Sequence, residues 1–290
     1  MTVLETLNRT TRTLKIRQIE NPRLHAELLL AHSLNFSREE LYRNLHRQLV
    51  QSEKETLEKM IQRRILGEPL QYILGHQEFW SINFQVDPRV LIPRPETELL
   101  VEQSLLILSK TSFRQIPSIL EIGTGSGAIV IALAKEVKDI FLVATDISRA
   151  AVVLAKENAK SAGVEDRIDF LNGDLFSHLR RGKFFDLILS NPPYIIRHKI
   201  DTLAKEVKDY EPIIALDGGE DGMAFYRRII PEAPFYLREG GWLVLEIALG
   251  QGPLVSKLID EEGDFFKPEC IPDLSGIGRV VKAHKMDSRK

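Results

Sequence analysis

A single cysteine, Cys270, is all the thiol chemistry that 290 residues contain. One thiol excludes an internal disulfide and any cysteine-based zinc cage. Long apolar runs are missing as well: no stretch approaches the ~20 residues that a membrane-spanning helix needs. The opening MTVLETLNRTTRTLKIRQ lacks the apolar core of a signal peptide, so the expected compartment is the cytoplasm. Charge of one sign is not in excess. A net charge of −2 and a pI of about 6.4 exclude a chain that binds nucleic acid by bulk electrostatics. Histidines stand at no metal-ligand spacing, including His25, His32 and His46 near the start, and no metal is expected. Internal repeats and low-complexity linkers are also lacking.

What remains is 43% apolar and 28% charged, an ordinary composition for a chain with room for one large domain and one small one. Residues 1–66 carry 12 Lys and Arg against 8 Asp and Glu, a local balance of +4, which leaves −6 for the rest. This basic stretch reads as a small N-terminal helical domain of four helices, suited to docking a protein substrate. Leu24, Leu28, Ala31 and Leu34 recur at helical spacing. Ser37 with Glu40 and Ser52 with Glu55 fit the capping box, and Gly67 ends the last helix. Residues 67–94 alternate aromatic and β-branched residues around Asp87-Pro88, which suggests a β-hairpin linker. Residues 95–290 form the third segment. Pro95-Glu96-Thr97-Glu98 opens a helix with acids at the positive end of its dipole.

From Ser118 the pattern alternates. Strands are expected at 118–122, 141–146, 168–171, 185–190 and 242–247, with helices between them, and 265–272 with 278–284 as a closing β-hairpin. Strands alternating with helices imply an α/β fold, its parallel sheet covered on both faces.

Two stretches carry chemistry. Glu121-Ile122-Gly123-Thr124-Gly125-Ser126-Gly127 falls at a strand-to-helix turn, where glycines let the backbone approach a ligand and the helix start adds partial positive charge. Asp146, followed by Ile147, ends the next strand, where a carboxylate can accept both hydroxyls of an adenosine ribose. Gly123, Gly125 and Ala128 also satisfy the dinucleotide fingerprint G-x-G-x-x-G/A, so this part alone leaves a dehydrogenase open. At the end of the third strand Asp174 could accept an adenine amino hydrogen, with Leu175 and Phe176 covering the ring. As a bland alternative, Asp174 simply caps a turn.

The second stretch is Asn191-Pro192-Pro193-Tyr194. Two prolines cannot continue the strand before them, so the chain leaves the sheet at its carboxyl end, where ligands sit in open α/β sheets. The Asn191 side-chain carbonyl and the Pro192 backbone carbonyl are two acceptors that can bind both hydrogens of a planar amino group. Tyr194 can stack on that group or wall it off. A dehydrogenase has no use for such a pair. A methyl transfer to nitrogen has, and its donor, S-adenosylmethionine, is an adenosine without phosphates.

These motifs together resemble the class I, Rossmann-like methyltransferases that use S-adenosyl-L-methionine. Gly67-Glu68-Pro69-Leu70-Gln71-Tyr72, Arg94-Pro95-Glu96-Thr97-Glu98, Glu211-Pro212 and Ala215-Leu216-Asp217-Gly218-Gly219 narrow the resemblance to the peptide chain release factor glutamine methyltransferases, the PrmC/HemK family. That family implies a mostly parallel sheet of about seven strands. It also implies methylation of the glutamine amide in the Gly-Gly-Gln loop of class I release factors, as protein partners, with no direct nucleic acid and no membrane. The resemblance places catalysis on Asn191, Pro192 and Tyr194, and substrate binding on these with Pro193. It places the cofactor on Glu121, Gly123, Thr124, Gly125, Ser126, Gly127, Asp146, Ile147, Asp174, Leu175 and Asn191. Two other classes stay open: an amino methyltransferase acting on adenine or cytosine in nucleic acid, and a catalytically silent binding module.

Overall fold

The computed structural model describes residues 1–111 and 115–287, which sort into two units: Met1–His76 with Ala204–Tyr210, and Gln77–Leu203 with Glu211 onward.

The first unit holds α1 (Val3–Ile16), α2 (Pro22–Leu34), α3 (Arg38–Arg43) and α4 (Gln51–Leu66), the four helices expected in residues 1–66, and a short α5 (Leu70–Leu74) in the stretch expected as a hairpin linker. Its core is Val3, Leu7 and Leu14 against Leu29, Leu30, Leu41, Leu57 and Met60. The buried face of α2 keeps Ala31 and Leu34 of the expected stripe, with Leu28 half-buried, and is wider than expected. Ala26, Leu29 and Leu30 are buried while Leu24 is exposed, because the run Leu28-Leu29-Leu30 allows more than one inward face. The capping box at Ser37 and Glu40 forms. The one expected at Ser52 does not: α4 is capped two residues earlier, at Val50, and Glu53 accepts from the Val50 N–H at 2.9 Å.

Arg64, buried, closes this unit over the returning stretch 204–210. It donates to Glu206 Oε2 at 2.7 Å, to the Glu68 carbonyl at 2.8 Å and to His25 Nδ1 at 3.2 Å. Burial and then the Arg64 charge lower the His25 pKa, so the ring stays a neutral acceptor. Gly67 (φ +104°) leaves room for this strap, since a Cβ there would stand 2.9 Å from Lys205 Cδ.

The second unit opens with a two-stranded hairpin, β1 (His76–Phe79) and β2 (Ile82–Gln85). Its turn is Trp80-Ser81, not the expected Asp87-Pro88. Both turn residues have positive φ, as a two-residue primed turn requires, although neither is a residue that favours it. Hydrogen bonds hold them there: the Trp80 N–H donates to Glu98 and the indole N–H to Glu136, both at 2.8 Å.

After α6 (Glu98–Lys110), the sheet and its first covering helices follow. They are β3 (Ser118–Ile122), α7 (Ala128–Glu136), β4 (Phe141–Asp146), α8 (Arg149–Ala162), β5 (Ile168–Asn172) and β6 (Phe185–Ser190). The long β7 (Leu237–Glu246) and the antiparallel β8 (Glu269–Pro272) and β9 (Gly278–His284) complete seven strands in the order β5-β4-β3-β6-β7-β9-β8. The first five are mutually parallel. The closing hairpin is therefore present as expected, with β7 starting five residues earlier than the alternation suggests. Helix Tyr226–Glu232, with Pro231 in its last turn, is followed by a 3₁₀ turn at Ala233–Phe235. Strands buried on both faces, such as β3, explain why these segments read as continuous apolar runs. Among the described residues no helix is long and apolar enough to cross a membrane, and no cluster of His, Cys, Asp and Glu is placed to hold a metal.

Arg64→Met should remove the hydrogen bonds that hold the strap. We expect about 1.5–3 kcal/mol lower stability in chemical denaturation, the usual worth of hydrogen bonds to a charged group. Amide exchange should accelerate at Val207, Lys208 and Asp209. Unchanged exchange there would show that Arg64 does not retain the segment.

Candidate active site

The chain runs outward from β3 to β4 to β5 and then returns to β6 on the other side of β3. The carboxyl ends of β3 and β6 lie side by side, with Ile122 paired to Ser190 and the Ser190 hydroxyl donating to the Ile122 carbonyl at 2.8 Å. This reversal of strand order opens a crevice, and a cleft of about 190 Å³ occupies it.

One wall is the glycine loop. The N–H groups of Gly123 and Thr124 both donate to the Thr145 carbonyl, at 2.8 and 3.0 Å, which ties the loop to the end of β4. Gly123 and Gly125 have positive φ, and a Cβ built on either meets nothing within 4 Å. They are glycines for backbone conformation, and the space beside them is open to a ligand. Gly127 differs. A Cβ there would stand 2.9 Å from Ile131 Cδ1 and 3.2 Å from Ala155 Cβ, so it packs the loop onto α7 and α8 and does not line the cleft. Asn158, which nothing in the sequence singled out, donates to the Ser126 carbonyl at 2.9 Å and exchanges hydrogen bonds with the Gln85 backbone.

Two carboxylates face this wall. Asp146 accepts from the Gly125 N–H through Oδ2 and from the Ser148 N–H through Oδ1, both at 2.8 Å. Each oxygen keeps a free lone pair for a diol. Burial raises its pKa, opposed by those two N–H groups. Glu121, 1% exposed, accepts through Oε2 from the Thr124 hydroxyl at 2.8 Å and the Val130 N–H at 3.2 Å, while its Oε1 has no partner among the described residues. Burial pushes its pKa up to about 8. An orphaned buried oxygen of this kind suits an ammonium group. Orphan oxygen, diol-ready Asp146 and open glycine loop together fit the amino acid tail and ribose of S-adenosylmethionine.

The far wall is apolar: Ile147 and Ala151 after β4, Leu175, Ile214 and Phe225. Asp174 and Leu175 line it as expected. Phe176 does not cover an adenine: it is buried in the core, stacked on Tyr236 at 4.6 Å. Leu175, between Asp174 and Phe176, takes positive φ (+50°). Arg228 donates to Asp174 Oδ2 at 2.6 Å. Phe225, Ile214, Arg89, Arg94 and Thr97 also line the cleft and were not assigned to it from the sequence. For Arg94 and Thr97 the signal was the Arg94–Glu98 motif; Phe225 had none.

Asn191, Pro192 and Pro193 also line the cleft. Asn191 Nδ2 donates to Thr97 Oγ1 at 3.1 Å, which commits the amino end of this amide to the protein and leaves Oδ1 as its acceptor. Tyr194 is turned away from the cleft, its hydroxyl donating to Glu246 Oε1 at 3.4 Å. Arg94 pairs with the buried Glu211, which also accepts from the Ile92 N–H at 3.2 Å. The corner is clamped from behind by the loop 216–222. Ile195 donates to the Leu216 carbonyl and Gly218 to the Ile195 carbonyl. A Cβ at Gly218 would stand 2.7 Å from Tyr194 backbone atoms, so glycine is required for the approach.

Family models match two parts of the chain: the PrmC N-terminal domain over residues 5–75, and the methyltransferase small domain over residues 97–208. A release factor glutamine methyltransferase of Koribacter versatilis is 40% identical over 288 residues, covering 99% of this chain and all of that one. Its counterpart in Geobacter sulfurreducens is 42% identical, covering 97% and 95%. Among solved structures, a methyltransferase from Pyrococcus furiosus superposes with a TM-score of 0.52 at 18% identity, covering 78% of this chain and 98% of that one, and shares the fold.

A cation placed against Glu121 Oε1 favours the carboxylate form, so ligand binding near pH 7 should expel a proton from a group that otherwise titrates at about 8. Calorimetry of S-adenosylmethionine binding in two buffers of different ionisation heat should show that release, with affinity rising as pH rises toward the Glu121 value. Glu121→Gln should abolish the release and weaken binding by about 1.5–3 kcal/mol. Binding with no proton released by the unmodified chain would separate Glu121 from the ligand's cation.

Proposed function

The chain belongs to the release factor glutamine methyltransferase family, and on that premise we propose how its cleft and its Asn191–Tyr194 corner divide the reaction. The reaction is transfer of a methyl group from S-adenosylmethionine to the side-chain amide nitrogen of the glutamine in the Gly-Gly-Gln loop of class I release factors. The observation that carries this reading is the fixed amide of Asn191, a residue of the cleft lining, its Nδ2 spent on Thr97 and its Oδ1 left as the acceptor.

A carboxamide nitrogen is a poor nucleophile because its lone pair is delocalised into the carbonyl. Asn191 Oδ1 and the Pro192 carbonyl accept its two hydrogens, and proline's locked φ fixes the direction of the second acceptor. The nitrogen is thereby oriented and held, and its lone pair gains density as both N–H bonds are polarised. Tyr194, turned away from the cleft, braces the corner through its hydroxyl's bond to Glu246. Asp146 holds the ribose, Glu121 and the Gly123–Ser126 loop hold the amino acid tail, and Asp174, Leu175 and Ile147 bound the adenine. Bound there, the donor supplies an electrophilic methyl group on a sulfonium. What the protein adds is positioning and exclusion of water.

Recognition of the protein substrate is assigned to the first unit, whose residues 1–66 carry the basic excess of +4. The balance of −6 over the remaining residues disfavours docking on a phosphate backbone, and so disfavours adenine or cytosine in nucleic acid as the target.

Asn191→Ala should lower kcat by about 10²–10³, the cost of one preorganised hydrogen bond in a water-excluded site, and change donor affinity less than about threefold. Asn191→Asp keeps an acceptor and should retain more activity than alanine. The readout is mass spectrometry of a release factor or its Gly-Gly-Gln peptide, sought as a gain of one methyl group on the glutamine. A folded Asn191→Ala protein with normal kcat would end the assignment of this corner. An unmodified glutamine alongside methylated DNA would end the assignment of the substrate.

A further inference from the structure

Among the described residues that line the cleft, Phe225 is the one aromatic. It stands just before the helix Tyr226–Glu232, half-buried, packed against the core cluster that holds Tyr226 and Ile229. Phe176, Tyr226 and Tyr236 of that cluster are buried, and none of them borders the cleft. The backbone that carries Phe225 is fixed on both sides. The Ala224 N–H donates to the Gly218 carbonyl at 3.0 Å, and the Phe225 carbonyl accepts from the Ile229 N–H at 2.8 Å.

Its contacts show which end of the cleft it serves. Arg228 follows Phe225 at the spacing that puts two side chains on one helix face, and its guanidinium carbon lies 5.9 Å from the centre of the Phe225 ring. Arg228 in turn donates to Asp174 Oδ2 at 2.6 Å, in the turn after β5, and both residues line the cleft. Phe225 therefore belongs to the end walled by Asp174 and Leu175. The other end is marked by Glu121, whose Oε1 has no partner among the described residues.

We propose that Phe225 is the aromatic face against which the adenine of the methyl donor stacks, and that Arg228, anchored on Asp174, is the positioning residue that backs it. The inference rests on the reading of the cleft as an S-adenosylmethionine site and deepens it, since it names the residue that selects the base. Leu175 and Ile147 offer adenine apolar walls, but an aliphatic wall serves any apolar group. An aromatic face favours a flat heteroaromatic ring, by about tenfold or more in affinity, and a ribose or an amino acid tail gains little from it. A guanidinium at this distance is attracted to the ring, and its bond to Asp174 keeps that attraction at the cleft wall. The Arg228–Asp174 pair is neutral as a unit, which suits an uncharged base. The pair is also exposed, 49% and 42% of its two side chains, so it contributes little to folding and its removal reads out positioning. If Phe225 served packing alone, replacing it would alter stability and leave ligand affinity as it was.

The test is calorimetry of the full chain with two probes: S-adenosylhomocysteine, and 5′-methylthioadenosine, which keeps the adenosine and lacks the amino acid tail. Phe225→Leu should weaken both by about tenfold, whereas Glu121→Gln should weaken only the first. Phe225→Trp should restore binding, and the emission of the introduced indole should be quenched as adenine stacks on it, against the constant background of the two native tryptophans. In that background Arg228→Ala should weaken both probes about threefold and reduce the quenching, and Arg228→Lys should recover part of each. A folded Phe225→Leu protein that binds both probes as tightly as the unmodified chain overturns the inference. So does a loss confined to S-adenosylhomocysteine, which would put Phe225 at the tail. If Phe225→Leu does not fold, indole emission unmoved by saturating S-adenosylhomocysteine in Phe225→Trp overturns it instead. Failure of the unmodified chain to bind either probe would remove the donor site, and this inference with it. Tight binding and methyl transfer by the unmodified chain beside an unaffected Phe225→Leu refute only the role of Phe225.

Discussion

The parallel pairing of β3 with β6 is the constraint on which the site depends. Ile122 and Ser190 are register partners, so the glycine loop and the Asn191 corner leave the sheet at the same level, though 68 residues separate those partners. Neither loop makes a site alone. The first supplies conformation and a carboxylate wall, the second two oriented carbonyls. Because both strands are buried in mid-sheet, a slip of one residue would turn each apolar side chain to the opposite face. Register is thus held by the core, and the placement of donor cleft against acceptor corner follows from it.

Buried carboxylates divide the molecule into structure and site. Glu27 in the first unit is satisfied by Arg23, Arg38 and Tyr42, and Glu211 in the second by Arg94 and a backbone N–H. Both hold elements together, and removing a partner would strand a charge. Glu121 and Glu246 are the opposite kind. Each is buried, each has one oxygen without a hydrogen-bond partner, and each is raised toward or past neutrality by burial. A protein keeps such groups where the missing partner arrives with a ligand, or where the proton itself has a use.

Much of this was legible in the sequence, and the reasons are specific. Strands β3 to β6 announce themselves as apolar runs ended by glycine, acid or proline, and the chemistry lies at those ends, so Gly123, Gly125, Asp146 and Asn191 could be placed before any coordinates. What escaped was set by contacts distant along the chain. Trp80-Ser81 turns a hairpin only because Glu98 and Glu136 hold it there. Phe176 is buried against Tyr236, 60 positions away, a contact no residue pattern reveals. Phe225 reaches the cleft through packing alone. Thr97 was visible as part of a helix start, but its bond to Asn191 spans 94 positions and belongs to the fold.

The path of the chain also bears on how such an enzyme can be rearranged. The first unit is not one continuous segment, since the strap at 204–210 is borrowed from the middle of the catalytic sequence and pinned by Arg64. A gene fusion cut at His76 would carry away the helices and leave their strap behind in the other half. The unit is therefore not a single piece of chain: a transplant that keeps Arg64 paired with Glu206 must carry residues 204–210 along with the helices.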